Sequence, residues 1–230
     1  MLFGYYYDIF YLLIIAAMIF AIAMQANIRS TFSKYSKVPT MRNTPAHEIA
    51  RQILDSYGLY HVTVMRVDGN LTDRYDPRTN TVALSDSTFF SSSVAAIGVA
   101  AHEVGHAVQY NKSYTPIKLR SYFVPIARFG STAWAIIFII GLAAGFPILQ
   151  NIGIALFFFV LLFQFITLPV EFDASRRAVN VMRDQFLLGA DELQGAKKVL
   201  FAAAMTYVAS FLITLLQFIR LILLSGRRRR

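Results

Sequence analysis

No cysteine occurs in the 230 residues, which excludes a disulfide framework, a thiolate metal site and a cysteine nucleophile. Charge is scarce as well. Asp, Glu, Lys and Arg make up 15% of the chain against 56% hydrophobic residues, where a water-soluble domain carries about a quarter charged residues. A membrane protein is therefore expected. Histidine is limited to four positions and tryptophan to one, so an imidazole metal site has few possible members. Basic residues outnumber acidic ones, for a formal net charge of +9. That excess does not point to nucleic acid, because Lys and Arg stand largely beside apolar segments, where anionic lipid headgroups are the natural counter-ions.

Residues 5–26 form an apolar run long enough to cross a bilayer, behind Tyr5, Tyr6 and Tyr7 as interfacial anchors. No Lys or Arg precedes the run, and it is too long for the core of a cleaved signal peptide. Arg29, Lys34, Lys37 and Arg42 follow it, so the positive-inside rule puts the N-terminus outside and the next segment in the cytoplasm. Further apolar runs at 131–149 and 152–170 read as a membrane hairpin, turning at Phe146-Pro147 and Gln150-Asn151-Ile152-Gly153. Residues 128 and 171 then end on one face of the bilayer. A last helix is expected from about Val199, with a span at 203–224. Every Lys and Arg except Arg220 and the run 227–230 lies in 27–130 or 170–200, which favours an active segment on the cytoplasmic face of the cell membrane. The terminal arginines run against that rule unless the last helix lies shallow or stops short of crossing.

The segments at about 40–128 and 171–200 are polar and mixed, and they supply the catalytic part of what reads as a single domain, 1–230. Thr44-Pro45 starts a helix over 46–57 that Gly58 ends. A small antiparallel sheet is expected from Val62, Val64, Val67 and residues 81–84, with turns at Asp68-Gly69-Asn70 and Tyr75-Asp76-Pro77-Arg78-Thr79-Asn80. Its edge offers an extended peptide a place to add as a strand, or it is plain scaffold.

The chemistry-bearing stretch is Ala101-His102-Glu103-Val104-Gly105-His106-Ala107-Val108-Gln109. On a helix, His102 and His106 share a face and can hold one zinc ion, with Glu103 beside a bound water. Ser91, Ser92 and Ser93 are candidate N-caps for that helix. A catalytic zinc site needs a third protein ligand. A histidine six residues after the second would fall at Lys112, so that subclass is excluded. His47, His61, Glu171, Asp173 and Asp184 remain. Glu171 fits best, because the hairpin returns the chain to the face it left, and Pro169 can start a new helix there. Ser175, four residues on, shares its face and can hold Glu171 or a histidine ligand. The competing reading pairs Glu171 with Arg176 or Arg177 at headgroup level.

These residues resemble the YugP-type bacterial membrane zinc metallopeptidases. The likeness runs through 53–60, Leu71-Thr72-Asp73-Arg74-Tyr75-Asp76-Pro77-Arg78-Thr79, 100–109, Leu119-Arg120-Ser121, Leu168-Pro169-Val170-Glu171-Phe172 and Ala203-Ala204-Met205-Thr206-Tyr207. More distantly the chain is similar to HtpX-like and CAAX-prenyl peptidases, in which an E-x-x-x-D setting follows the membrane helices. Ser175 stands where those relatives carry aspartate. The resemblance implies an α-helical membrane protein with a small α+β gluzincin-like catalytic domain and one zinc ion per chain held by His102, His106 and Glu171. The expected chemistry is hydrolysis of a polypeptide substrate, with Glu103 as general base.

Tyr207, expected at the start of the last helix, is a candidate donor to the oxyanion; an interfacial packing role is the competing reading. Two further classes compete with the enzyme. One is a membrane scaffold whose zinc is closed off by a fourth ligand, His61 or Asp173. The other is an intramembrane protease, which the serine-rich start and polar end of the 101–109 helix argue against, placing zinc at the membrane surface.

Overall fold

The computed structural model describes the backbone of residues 2–227 and the side chains of residues 9–225. Tyr5, Tyr6 and Tyr7 as anchors, and the terminal arginines, lie outside the described side chains. The elements run α1 (Leu2–Tyr35), α2 (Ala46–Ser56), β1 (Thr63–Val67), β2 (Arg74–Asp76), β3 (Thr81–Ser85), α3 (Asp86–Phe89), α4 (Val94–Asn111), α5 (Thr115–Ala143), α6 (Pro147–Asp184) and α7 (Ala190–Arg227). Four of these helices, α1, α5, α6 and α7, are long and apolar enough to cross a membrane. The chain divides into two compact units. One takes in Pro116–Leu168 with the segments up to Met24 and from Thr206 on, and the other Gln25–Thr115 and Pro169–Met205.

In the first unit α5 and α6 pack antiparallel through glycine. A Cβ on Gly130 would stand 2.9 Å from the Leu156 carbonyl oxygen, one on Gly141 2.7 Å from the Gln150 nitrogen, and one on Gly153 2.8 Å from the Phe138 Cβ. Small residues let apolar helices approach closely where lipid supplies no hydrophobic drive between them. The turn comes earlier than the sequence suggests, at residues 144–146, where Gly145 takes φ +70°. Gln150 and Gly153 are helical, and Gln150 donates to the Gly141 carbonyl at 3.1 Å. Pro147 opens α6, a position where the missing N–H costs nothing. Phe138, Phe157 and Leu221 form a small buried cluster with Trp134 and Phe218.

The second unit holds the main core, in which Ile49, Ile53 and Leu54 of α2, Val82 and Leu84 of β3, and Ile97 and Val104 of α4 meet Ala178 and Met182 of α6 and Ala196 and Leu200 of α7. Each buried Leu or Ile contributes about 1.5–3 kcal/mol. The helix α2 ends as the sequence implies, with Gly58 at φ +70° and its N–H on the Asp55 carbonyl at 2.9 Å. Arg51 then fastens the following loop, donating to the carbonyls of Leu59 and Val62.

The three-stranded sheet has order β1-β3-β2 and is mixed rather than antiparallel throughout. β2 and β3 form the hairpin expected from the Asp76-Pro77 turn, with Tyr75 opposite Val82, while β1 runs parallel to β3 with Val64 opposite Val82. The Asp68-Gly69-Asn70 segment is therefore not a hairpin turn. It carries the chain past the end of β3, where Asp86 accepts from the Gly69 N–H and from Arg66. Asp73 then takes both the N–H and the hydroxyl of Ser85 at 2.8 Å, which fixes the start of β2 to the end of β3.

Two helix boundaries also differ from expectation. Pro169 starts no helix; α6 passes through it from Pro147 to Asp184, losing only the bond to the carbonyl four residues back. The last helix begins at Ala190, nine residues before Val199, because Gly189-Ala190-Asp191-Glu192 is a helix start: Glu192 Oε2 accepts from the Gly189 N–H at 2.7 Å, half of a capping box.

Candidate metal centre

The Ser-rich stretch before α4 acts as the sequence suggests. Ser93 is the N-cap, its hydroxyl accepting from the Ala96 N–H at 3.3 Å, an arrangement worth about 1 kcal/mol. Four residues apart on α4, His102 and His106 fall on one side, their rings edge to face with centroids 4.7 Å apart. The partner helix is α6. Gly105 lets it come close, since a Cβ there would stand 2.8 Å from the Ala174 carbonyl oxygen.

That approach brings Glu171 to the two imidazoles. Its Oε2 lies 3.3 Å from His102 Nε2 and 3.7 Å from His106 Nε2, with the carboxylate 3% exposed. One ligand atom from each of the three residues lies within 4.8 Å of the others. Tetrahedral ligands about 2.0–2.1 Å from a zinc ion stand about 3.3 Å from one another, close to the two separations from Glu171 Oε2. Each imidazole also turns its other nitrogen to a protein group. His102 Nδ1 lies 3.1 Å from Ser175 Oγ and His106 Nδ1 3.0 Å from Gln109 Oε1. The two Nε2 atoms face the common point, as ligand nitrogens do.

Glu103, one residue along α4, is 9% exposed. Burial raises its carboxyl pKa above the usual carboxylate range, against the pull of His102 and His106. For His106, burial acts to lower the pKa, but the Glu171 carboxylate outweighs it and holds the imidazole above its ordinary value.

The remaining candidates are placed elsewhere. His47 stacks on Phe89 at 4.3 Å and bonds its carbonyl. His61 lines a separate cavity of about 210 Å³ with Tyr75 and Tyr110. Asp184 pairs with Arg183. The arginines at 176 and 177 take Asp173 rather than Glu171. Asp173 is thereby committed as a partner of two guanidinium groups and of Gln109, not offered as a fourth ligand. Tyr207 lies well inside α7 rather than at its start, and belongs to the other compact unit. Gln109 is the participant that sequence reasoning passed over. Its signal was its place three residues after His106, on the same helical face.

Two histidines and a glutamate close enough to share one metal ion, with His106 and Glu171 buried and His102 half-buried, in a chain with four helices of membrane-crossing length, are the features of a membrane metalloprotein. The chain belongs to the zinc peptidase family described as "Putative neutral zinc metallopeptidase", whose model matches residues 10–226. It is 42% identical over 221 residues to "Putative membrane protease YugP" of Bacillus subtilis (strain 168), an alignment covering 95% of this chain and 98% of that protein. No solved structure matches it.

Proposed function

We propose that the chain is a zinc-dependent membrane endopeptidase with a gluzincin-like catalytic part, hydrolysing peptide bonds of membrane-associated or misfolded proteins. The observation that carries this reading is the convergence of His102, His106 and Glu171, with Glu103 beside them. One zinc ion per chain would sit on His102 Nε2, His106 Nε2 and Glu171 Oε2, and bound there it supplies Lewis acidity toward a carbonyl and lowers the pKa of water.

The chain's own residues do the rest. Glu103 takes a proton from the attacking water and returns it to the leaving amine nitrogen, a task for a carboxylate outside the ligand set whose burial raises its pKa. Ser175 and Gln109 orient the imidazoles. We place the 101–109 helix at the membrane surface and the active site on the cytoplasmic side, following the distribution of Lys and Arg. The full-length protein in detergent, given a peptide library with and without chelator, tests the reading. Chelator-sensitive cleavage between internal residues supports it, and absence of cleavage by zinc-loaded protein opposes it.

A further inference from the structure

Gln109 is fully buried on α4, 0% exposed, and every polar atom of its side chain is used. The amide nitrogen donates to the Val170 carbonyl at 2.8 Å and to Asp173 Oδ2 at 2.9 Å. Neither partner can be anything but an acceptor there: a backbone carbonyl has no proton, and Asp173 is an ionised carboxylate between Arg176 and Arg177. The orientation of the amide is therefore fixed by chemistry. Its nitrogen must face Val170 and Asp173, which leaves Oε1 for His106 Nδ1 at 3.0 Å. An amide oxygen only accepts, so Nδ1 carries the proton, and in the neutral imidazole that ligates a metal the electron pair is left on Nε2.

The chain of bonds has a direction. His106 Nδ1–H donates to Gln109, Gln109 donates to Asp173, and the negative charge at the far end polarises the amide so that its oxygen accepts more strongly. A histidine that ligates a metal usually gives its second N–H to a carboxylate or carbonyl, which fixes the ring and raises the basicity of the ligating nitrogen. Here the carboxylate acts through an intervening amide. The same amide also holds the backbone at Val170, the residue before Glu171, so one side chain ties a ligand on α4 to the position of a ligand on α6.

We propose that Gln109 is a positioning residue that relays the Asp173 carboxylate to His106, setting the tautomer in which Nε2 is free to ligate, and that it holds Glu171 in register with it. The inference rests on the zinc reading above and goes beyond it, since three ligands alone do not require this relay. His102 has a weaker counterpart in Ser175, whose hydroxyl can donate or accept and so specifies no tautomer.

The test uses the full-length protein in detergent and measures two quantities separately, the zinc dissociation constant by chelator competition and the melting temperature of the zinc-free form. Gln109→Met keeps the volume and removes the acceptor; it is expected to weaken zinc binding about 10–100-fold. Gln109→Glu loses the donors to Val170 and Asp173 and sets its carboxylate against that of Asp173, so it is expected to melt lower; it keeps an oxygen toward Nδ1–H that carries its own negative charge in place of the one relayed from Asp173, and is expected to hold zinc within about threefold of wild type. In zinc-loaded wild type the His106 Nδ1 proton should be visible by NMR and protected from exchange, and in Gln109→Met that protection should be lost. The relay is overturned if Gln109→Met binds zinc like wild type, or if both variants lose zinc in proportion to their loss of melting temperature. Wild type that cleaves peptide and binds zinc while Gln109→Met is unaffected removes the relay alone; wild type that takes up no zinc removes the metallopeptidase reading with it.

Discussion

Gly105 faces the backbone of Ala174 so closely that a methyl group on it would lie 2.8 Å from the Ala174 carbonyl oxygen and 3.3 Å from its Cα. The contact is backbone on one side, so nothing flexible can yield. Gly105→Ala should force α6 away from α4, cost about 1–3 kcal/mol of stability, and weaken zinc binding because Glu171 moves with α6. Gly98→Ala, on the same helix, meets Ala196 at ordinary contact distances, its Cβ at 3.4 Å and its Cα at 3.6 Å. It should be neutral or stabilising by up to about 1 kcal/mol, the helix preference of Ala over Gly. Melting temperature and zinc affinity of the two variants check the contrast.

The fit of the three donors to zinc implies a metal-dependent fold as well as metal-dependent chemistry. Removing the ion leaves Glu171 to face the two imidazoles directly, at 3.3 and 3.7 Å, in place of the stronger bonds each makes to a metal. Chelation should lower the melting temperature, and added zinc should restore it. With free zinc about a thousandfold above the dissociation constant, the stabilisation is about 4 kcal/mol. A melting temperature unmoved by either treatment contradicts the assignment.

His102 leans on the Ser175 hydroxyl at 3.1 Å. Ser175→Ala should weaken zinc about tenfold by freeing that ring. Ser175→Asp supplies an ionised acceptor at the same position and should bind zinc at least as tightly as wild type. Chelator competition separates the two.

Much of this arrangement is legible in the chain because it rests on short-range rules. The spacing of His102 and His106, the cap at Ser93 and the stop at Gly58 are all decided within one or two helical turns. The convergence with Glu171 is long-range, and the chain offered it only through the expectation that two neighbouring apolar runs form a hairpin. What escaped needed knowledge of neighbours. Pro169 looks like a helix start in isolation, but α6 passes through it because a helix interior can forgo one hydrogen bond. The parallel pairing of β1 with β3 depends on where the β2–β3 hairpin docks, which no local turn states. Gln109 reads as an ordinary polar residue until Val170 and Asp173 are seen to leave its amide a single orientation.

The most direct test of the whole account compares zinc content and peptide cleavage in three purified full-length proteins: wild type, Glu171→Ala and Glu103→Gln. The account predicts one zinc per chain with cleavage in wild type, loss of both in Glu171→Ala, and one zinc per chain without cleavage in Glu103→Gln. Zinc retained by Glu171→Ala, or turnover retained by Glu103→Gln, would contradict it.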